Sequence, residues 1–271
     1  MRRPVSGALI ALGVLYLSAL CAGFLAPYDP AAQARELAFS PPTRLHLLGT
    51  DGFGRDQFSR LLYGARISLL AGPLGAAVSI AGGLILGGAA GFLGGWIDAL
   101  IMRAAELFLA VPWFYLLFAV RMLMPLRVEP AQAFAMILLV IAVVGWARPA
   151  RLIRGMVLSA RTRDYVVAAR GLGASNLYLI RRHVLPQVLG IALAQAAVLA
   201  PQYILAEATL SFFGLGVGEP VPSWGNMLAV LQRYDVLSSY WWMFMPAGAL
   251  VAIFLLYSVL ADALNERGGT W

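Results

Sequence analysis

The sequence predicts an all-α integral membrane protein with about six transmembrane helices, and three observations carry that prediction. Of 271 residues, 61% are hydrophobic and 12% charged, with a mean hydropathy of +0.79, whereas soluble domains carry about a quarter charged residues. Apolar runs recur at residues 7–26, 67–97, 107–124, 131–147, 184–206 and 236–261, interrupted only by Arg121 near the end of the third. Polar residues gather instead in two long connections, 27–66 and 148–183.

About 20 apolar residues cross a hydrocarbon core of about 30 Å. Lipid offers the backbone no hydrogen-bond partner, so each run is read as a helix. The first follows Arg2 and Arg3 and is longer than the core of a cleaved signal. It is therefore expected to be a retained span, a reading preferred over a lipoprotein box at Cys21 because the downstream chain is itself membrane-embedded. The second run is rich in glycine, which lets neighbouring helices approach closely. Packing is the expected use of these glycines.

All 20 basic residues are arginine, and the formal charge is +7. A nucleic-acid partner is one reading of such a balance, but the arginines cluster between apolar runs and fit a rule of orientation better. With the N-terminus in the cytoplasm, Arg2, Arg3, Arg103, the eight arginines of 148–183 and Arg267 all lie inside. Both termini are then cytoplasmic, residues 27–66 form an external cap, and 148–183 form a cytoplasmic loop. The whole of 1–271 is expected to be a single transmembrane domain.

The cytoplasmic loop carries the most specific pattern. Tyr165, Ala168, Ala169 and Leu172 fall at i, i+3, i+4 and i+7, one apolar face of a short helix beginning near Asp164. Gly173 supplies a left-handed stop, and Ser175 can cap a second helix in which Leu177, Ile180 and Val184 share a face. Pro186 suits the first turn of the next span. An elbow with alanine at its centre can press its backbone close to another protein and pass on a rigid-body push.

This segment resembles the signature loop of binding-protein-dependent ABC permeases, which reads Glu-Ala-Ala, three residues, Gly, nine residues, Ile, any residue, Leu-Pro. Ala168, Ala169, Gly173, Leu185 and Pro186 match in register, while Val167 stands at the Glu position and His183 at the Ile position. The stretches 48–56, 63–69, 94–106, 210–217 and 222–227 resemble the dipeptide, oligopeptide and nickel branch, and their order resembles its C-type subunit. The resemblance implies a type I importer fold and a pore-forming subunit that moves peptides or related small solutes across the bacterial cytoplasmic membrane by alternating access. It also implies a second homologous permease, two ATPase subunits or domains and an extracytoplasmic binding protein. Asp164, Tyr165, Ala168, Ala169, Gly173 and Leu177 become the ATPase-coupling residues, and ATP with Mg is expected on the partner subunits, with no cofactor in this chain. Nickel or another solute is the alternative cargo within the family.

Elsewhere the residues point to little chemistry. No Gly-x-x-x-x-Gly-Lys loop is possible without lysine, no nucleophile elbow or paired-histidine motif occurs, and His46 and His183 show no ligand spacing. The chain is not expected to be an enzyme, to hold a metal or to bind nucleic acid. Gln195, Gln202 and Glu207 are the candidates for lining a pathway. Ionisable groups there are costly unless they face a partner or water, and a structural bond explains Glu207 at least as well. An ion-coupled secondary transporter is the rival reading, and it would call for more ionisable residues or broken helices in mid-membrane. Asp98, Arg103 and Glu106 are expected to pair locally, and Trp224, Tyr240, Trp241 and Trp242 to belong to an interfacial belt.

Overall fold

The computed structural model describes residues 2–125 and 128–268, with the side chains of 2–4, 170, 176, 177, 181, 183, 185, 187 and 265–268 outside the described set. The side-chain expectations for Leu177 and His183 fall among these. The described residues form helices α1 (Arg2–Leu20), α2 (Ala22–Leu25), α3 (Gln57–Leu93), α4 (Gly95–Ala110), α5 (Trp113–Met122), α6 (Pro130–Gly145) and α7 (Ala147–Arg161). They continue with α8 (Asp164–Gly171), α9 (Asn176–Leu179), α10 (Leu185–Phe212), α11 (Trp224–Leu228), α12 (Tyr234–Ser239) and α13 (Met245–Gly268). Helices α3 and α10, and the stretch Trp241–Leu264 that runs into α13, are apolar and long enough to span a membrane, α4–α5 and α6–α7 are bent pairs that pass the same test jointly, and Val5–Leu20 is a shorter apolar helix.

Both bends have a local cause. The turn between α4 and α5 measures 95°, at Val111 and Pro112. A residue before proline is driven out of the helical region, and Val111 sits at ψ 134°. The expected straight span over 107–124 is thus broken near its start. Between α6 and α7 the bend is 45°. Pro149 has no N–H to offer the Gly145 carbonyl, so the helix loses a bond where it turns.

Helix α3 is the centre of the molecule. Asp56 caps it, its carboxylate accepting from Ser59 N at 2.7 Å, so the helix starts ten residues before the apolar run. At 1.5 Å per residue its 37 residues reach about 55 Å, more than the hydrocarbon thickness. Most of its glycines are contact points, Gly88 beside the apolar cavity excepted: a Cβ at Gly72 would stand 2.8 Å from the Ala200 carbonyl of α10, and one at Gly91 2.8 Å from Val157 Cβ of α7. Gly87 lies against the Ala150 backbone. Helices α7 and α10 therefore press directly on the α3 backbone, the close approach that small residues permit in membranes. Tyr16 adds a polar tie, its hydroxyl bonding Leu69 O at 3.1 Å and Tyr257 OH at 2.8 Å, so α1, α3 and α13 meet at one point.

Candidate functional site

The elbow sits where α3 ends and α10 begins. Helix α8 opens with Val166 and Val167 N–H groups bonding Arg163 O at 2.9 and 3.0 Å. It ends in a glycine stop: Gly173 has φ +86°, and Ala174 N reaches back to Ala169 O at 3.0 Å. That six-to-one bond with a left-handed residue inside it is the Schellman arrangement, which favours glycine because a Cβ is penalised there. Ser175 then starts the second arm, its Oγ accepting from Tyr178 N at 3.3 Å and its carbonyl from Leu179 N at 3.0 Å. Helix α9 runs through one π-helical turn, Ile180–Val184, directly into α10. The second arm of the elbow is thus continuous in backbone with a 28-residue helix.

Burial separates anchor from free face. Val166 and Leu179 are fully buried, whereas Tyr165, Val167 and Leu172 are exposed, Leu172 at 90%. Asp164, Ala168 and Gly173 are exposed as well, and Ala169 is half-buried. The structure therefore brings Asp164, Tyr165, Ala168 and Gly173 to one outward surface, with Ala169 at its edge. Val184 and Val188 join Ile153, Val157 and Ala160 of α7 in a small core, beside an apolar cavity of about 340 Å³ that also meets Leu84 and Phe92 of α3.

Helix α7 is clamped at the same end. Arg154 pairs with Asp98, and Arg161 Nη1 donates to the Gly91 and Phe92 carbonyls at 3.0 and 3.3 Å. This corrects the expected local set: Arg103 does pair with Glu106 at 3.0 Å, but Asp98 reaches across to α7. An i, i+3 pattern describes a helix face and is blind to a neighbour 56 residues away.

The pathway candidates are dispersed. Gln195 and Gln202 are half-buried, and Gln202 lines a cavity of about 120 Å³ with Trp113, Arg148 and Tyr203. Glu207 has no exposed surface. Its carboxylate accepts from Ser68 Oγ at 2.6 Å and Ser211 Oγ at 2.7 Å, and these hydroxyls accept from Trp224 N at 3.0 Å and Val217 N at 3.2 Å. Glu207 therefore faces an internal knot joining α3, α10 and the 213–224 loop in place of an open pathway. Arg121, noticed in the sequence only as a break in an apolar run, is also fully buried. Its Nη1 donates to Pro125 O at 3.1 Å, while Nε and Nη2 have no partner.

The cap at the far end is a polar lattice that sequence reasoning left undefined. Asp51 accepts from Phe53 N, Arg55 N and Arg55 Nε at 2.8, 3.0 and 2.7 Å. Glu219, 164 residues later, accepts from Arg55 Nη1 at 2.7 Å and Arg60 Nη2 at 2.8 Å. The alternation of glycine and charge over 48–56 was the available signal. Trp224 and Trp242 are buried here, donating to Leu61 O and Thr50 O at 3.0 and 3.1 Å, so two of the expected belt aromatics are structural pins. On the nearby surface, a hydrogen bond from Arg233 holds Asp235 below the ordinary carboxylate range.

Among the described residues no group of acidic, histidine and cysteine side chains is arranged to hold a metal ion.

The family model of the binding-protein-dependent transport system inner membrane component matches residues 83–268. The chain belongs to this family. It is 36% identical over 253 residues to the dipeptide transport system permease protein DppC of Bacillus subtilis (strain 168), covering 93% of this chain and 77% of that one. It is 33% identical over 259 residues to the oligopeptide transport system permease protein OppC of the same organism, covering 95% and 82%. Identity is 37% over 273 residues to the di/tripeptide transport system permease protein DppC of Pseudomonas aeruginosa (strain UCBPP-PA14), covering 96% and 87%. The solved structure of an amino acid ABC transporter with histidines superposes with a TM-score of 0.55 at 18% identity, over 78% of this chain and 94% of that one. That likeness speaks for the fold.

The family membership makes the protein a membrane-embedded transport component, and the elbow coincides with the signature loop matched in the sequence.

Proposed function

We propose that the chain is one of two pore-forming subunits of an ATP-driven peptide importer, with the elbow Asp164–Gly173 as the seat of a cytoplasmic ATPase subunit. The observation that carries this reading is the elbow itself: an outward face centred on Ala168, stopped by Gly173 and running through backbone into α10. A small residue at the centre lets a partner reach the helix backbone, and helical continuity transmits displacement without loss in a flexible loop. Peptide cargo is supported by the peptide systems in which the similar permeases serve.

In this reading two ATPase subunits close on ATP and Mg, the elbows of this chain and of a second homologous permease move with them, and the pathway between the permeases opens alternately to either side. An extracytoplasmic binding protein delivers substrate at the cap. Both termini and the elbow lie in the cytoplasm, a placement supported by the arginine-rich 148–183 segment. The chain contributes no catalytic residue, and Asp164, Tyr165, Ala168, Ala169, Gly173 and Leu177 form the contact and its support.

Reconstitution tests this. The two permeases, the ATPases and the binding protein in proteoliposomes should take up a radiolabelled dipeptide or tripeptide only with ATP, and an Ala168→Trp chain should lose the ATPase during purification. Uptake by this chain without any ATPase would overturn the reading.

A further inference from the structure

A cavity of about 290 Å³ opens in the cap, lined by Asp51, Arg55, Gln57, Arg60, Glu219 and Arg233 among apolar side chains. Arg55 and Arg60 are 7% and 2% exposed and stand on the rigid start of α3 and the turn before it. Asp51 serves both, at 2.7 Å from Arg55 Nε and 3.7 Å from Arg60 Nε. The second counter-charge is of another kind. Glu219 belongs to the 214–223 loop, its side chain is 47% exposed, and it bridges the outer edges of both guanidiniums.

If Glu219 withdraws, two buried cations share one carboxylate, and an uncompensated buried charge is strongly destabilising. Withdrawal is therefore tolerated only as an exchange of one carboxylate for another. A second observation points to what else the incoming group carries. Gln57, 2% exposed and lining the same cavity, donates from Nε2 to Met243 Sδ at 2.8 Å, while its Oε1 has no partner. A buried acceptor left unpaired is costly and marks a place for a donor.

We propose that this cavity is a carboxylate-exchange site, in which Glu219 holds the place taken by the C-terminal carboxylate of a peptide, with a ligand N–H donating to Gln57 Oε1. The proposal rests on the reading of the chain as a peptide permease subunit. A peptide end presents both groups together: a carboxylate that two arginines grip in the planar, charge-assisted manner typical of guanidinium, and an amide N–H two bonds away. Phe39, Phe53 and Met227 surround the rest of the cavity with apolar surface, suited to a side chain of varied shape. Release of Glu219 would remove one tie of the 214–223 loop, which stays held by Asn226 Nδ2 donating to Val217 O and Val221 O at 3.1 and 2.9 Å and is joined through Val217 and Trp224 to the Glu207 knot.

The test uses the transporter assembled from both permeases and the ATPases in nanodiscs without its binding protein, titrated with trialanine and with trialanine amide. Trialanine should bind at least about tenfold more tightly than the amide, Glu219→Gln should tighten trialanine about tenfold by removing the competitor, and Arg60→Gln should weaken it by a similar factor. If either variant does not assemble, the comparison of trialanine with its amide on the wild-type transporter decides alone. Equal binding of acid and amide, or no tightening in Glu219→Gln, overturns the proposal. So does a Glu219→Gln chain that binds trialanine unchanged but docks the ligand-free binding protein more tightly, since the carboxylate would then belong to that partner. Uptake by the complete wild-type system separates the two levels: no uptake of any peptide sinks the peptide reading, whereas uptake without carboxylate-dependent binding sinks this inference alone.

Discussion

The cap and the elbow are held together by opposite means. In the cap, side chains do the holding: Asp51, Arg55, Arg60 and Glu219 form one charged lattice, and two buried tryptophans donate to main-chain carbonyls. In the elbow, the backbone does it, through a left-handed glycine, a serine cap and a π-helical turn, with Val166 and Leu179 as buried anchors. The cap is thus held by its own side chains around a polar cavity, with Gln57 Oε1 left unpartnered, while the elbow leaves an exposed face. Helix α3, about 55 Å long, begins in the cap and ends at Gly91 and Phe92 against Arg161 of α7.

Removal of a cap charge should have the largest effect. Asp51→Ala would leave Arg55 and Arg60 short of a buried counter-charge, at a cost of about 3–5 kcal/mol, and should be seen as a large fall in the melting temperature of the detergent-solubilised protein. An unchanged melting temperature would mean that the lattice is not what holds the cap. Gly173→Pro addresses the elbow. Proline fixes φ near −65° where the chain needs +86°, so ATP-driven uptake should fall below about a tenth, while membrane insertion, followed by fractionation, stays intact. Normal uptake would exclude the glycine stop from transmission.

A smaller effect sharpens the picture at the junction of the two. Glu207→Ala leaves two buried serine hydroxyls without their acceptor and should cost about 2 kcal/mol, whereas Glu207→Gln keeps part of the bonding and should cost less. If the two variants have equal melting temperatures, the knot contributes nothing to holding the 213–224 loop. The smallest effect is expected at Asp235→Asn. Arg233 and Asp235 pair at 2.6 Å but are exposed, and such pairs contribute little, so calorimetry should register no shift in melting temperature.

The elbow was legible in the sequence because its determinants are local. The i, i+3, i+4 spacing, Gly173 and Ser175 act on neighbours within five residues, and the structure has the helix, the stop and the cap where those residues stand. Apolar runs were legible for the same reason, although the sixth, 236–261, is interrupted at Tyr240 and its membrane-length stretch begins at Trp241. The bends were less so: Pro112 and Pro149 were visible, but whether proline kinks a helix or merely sits in it depends on neighbours, and Pro73 and Pro201 lie within continuous helices. What could not be read were partners distant in sequence. Glu219 with Arg55, Asp98 with Arg154, and Glu207 with Ser68 are set by helix packing, which composition and periodicity do not encode. Trp224 and Trp242 misled in the same way, because an indole suited to an interface is equally suited to a buried carbonyl.

In the proposed importer the face around Ala168 is the handle of an ATPase on the side of the membrane away from the cap. The most direct measurement places a single thiol there, using Leu172→Cys in a Cys21→Ser chain, and labels the assembled transporter with a membrane-impermeant maleimide applied to each side in turn. Labelling is expected from the cytoplasmic side alone, blocked when the ATPase subunits are bound and restored when they are stripped away. Labelling from the opposite side, or labelling indifferent to the ATPase, would contradict it.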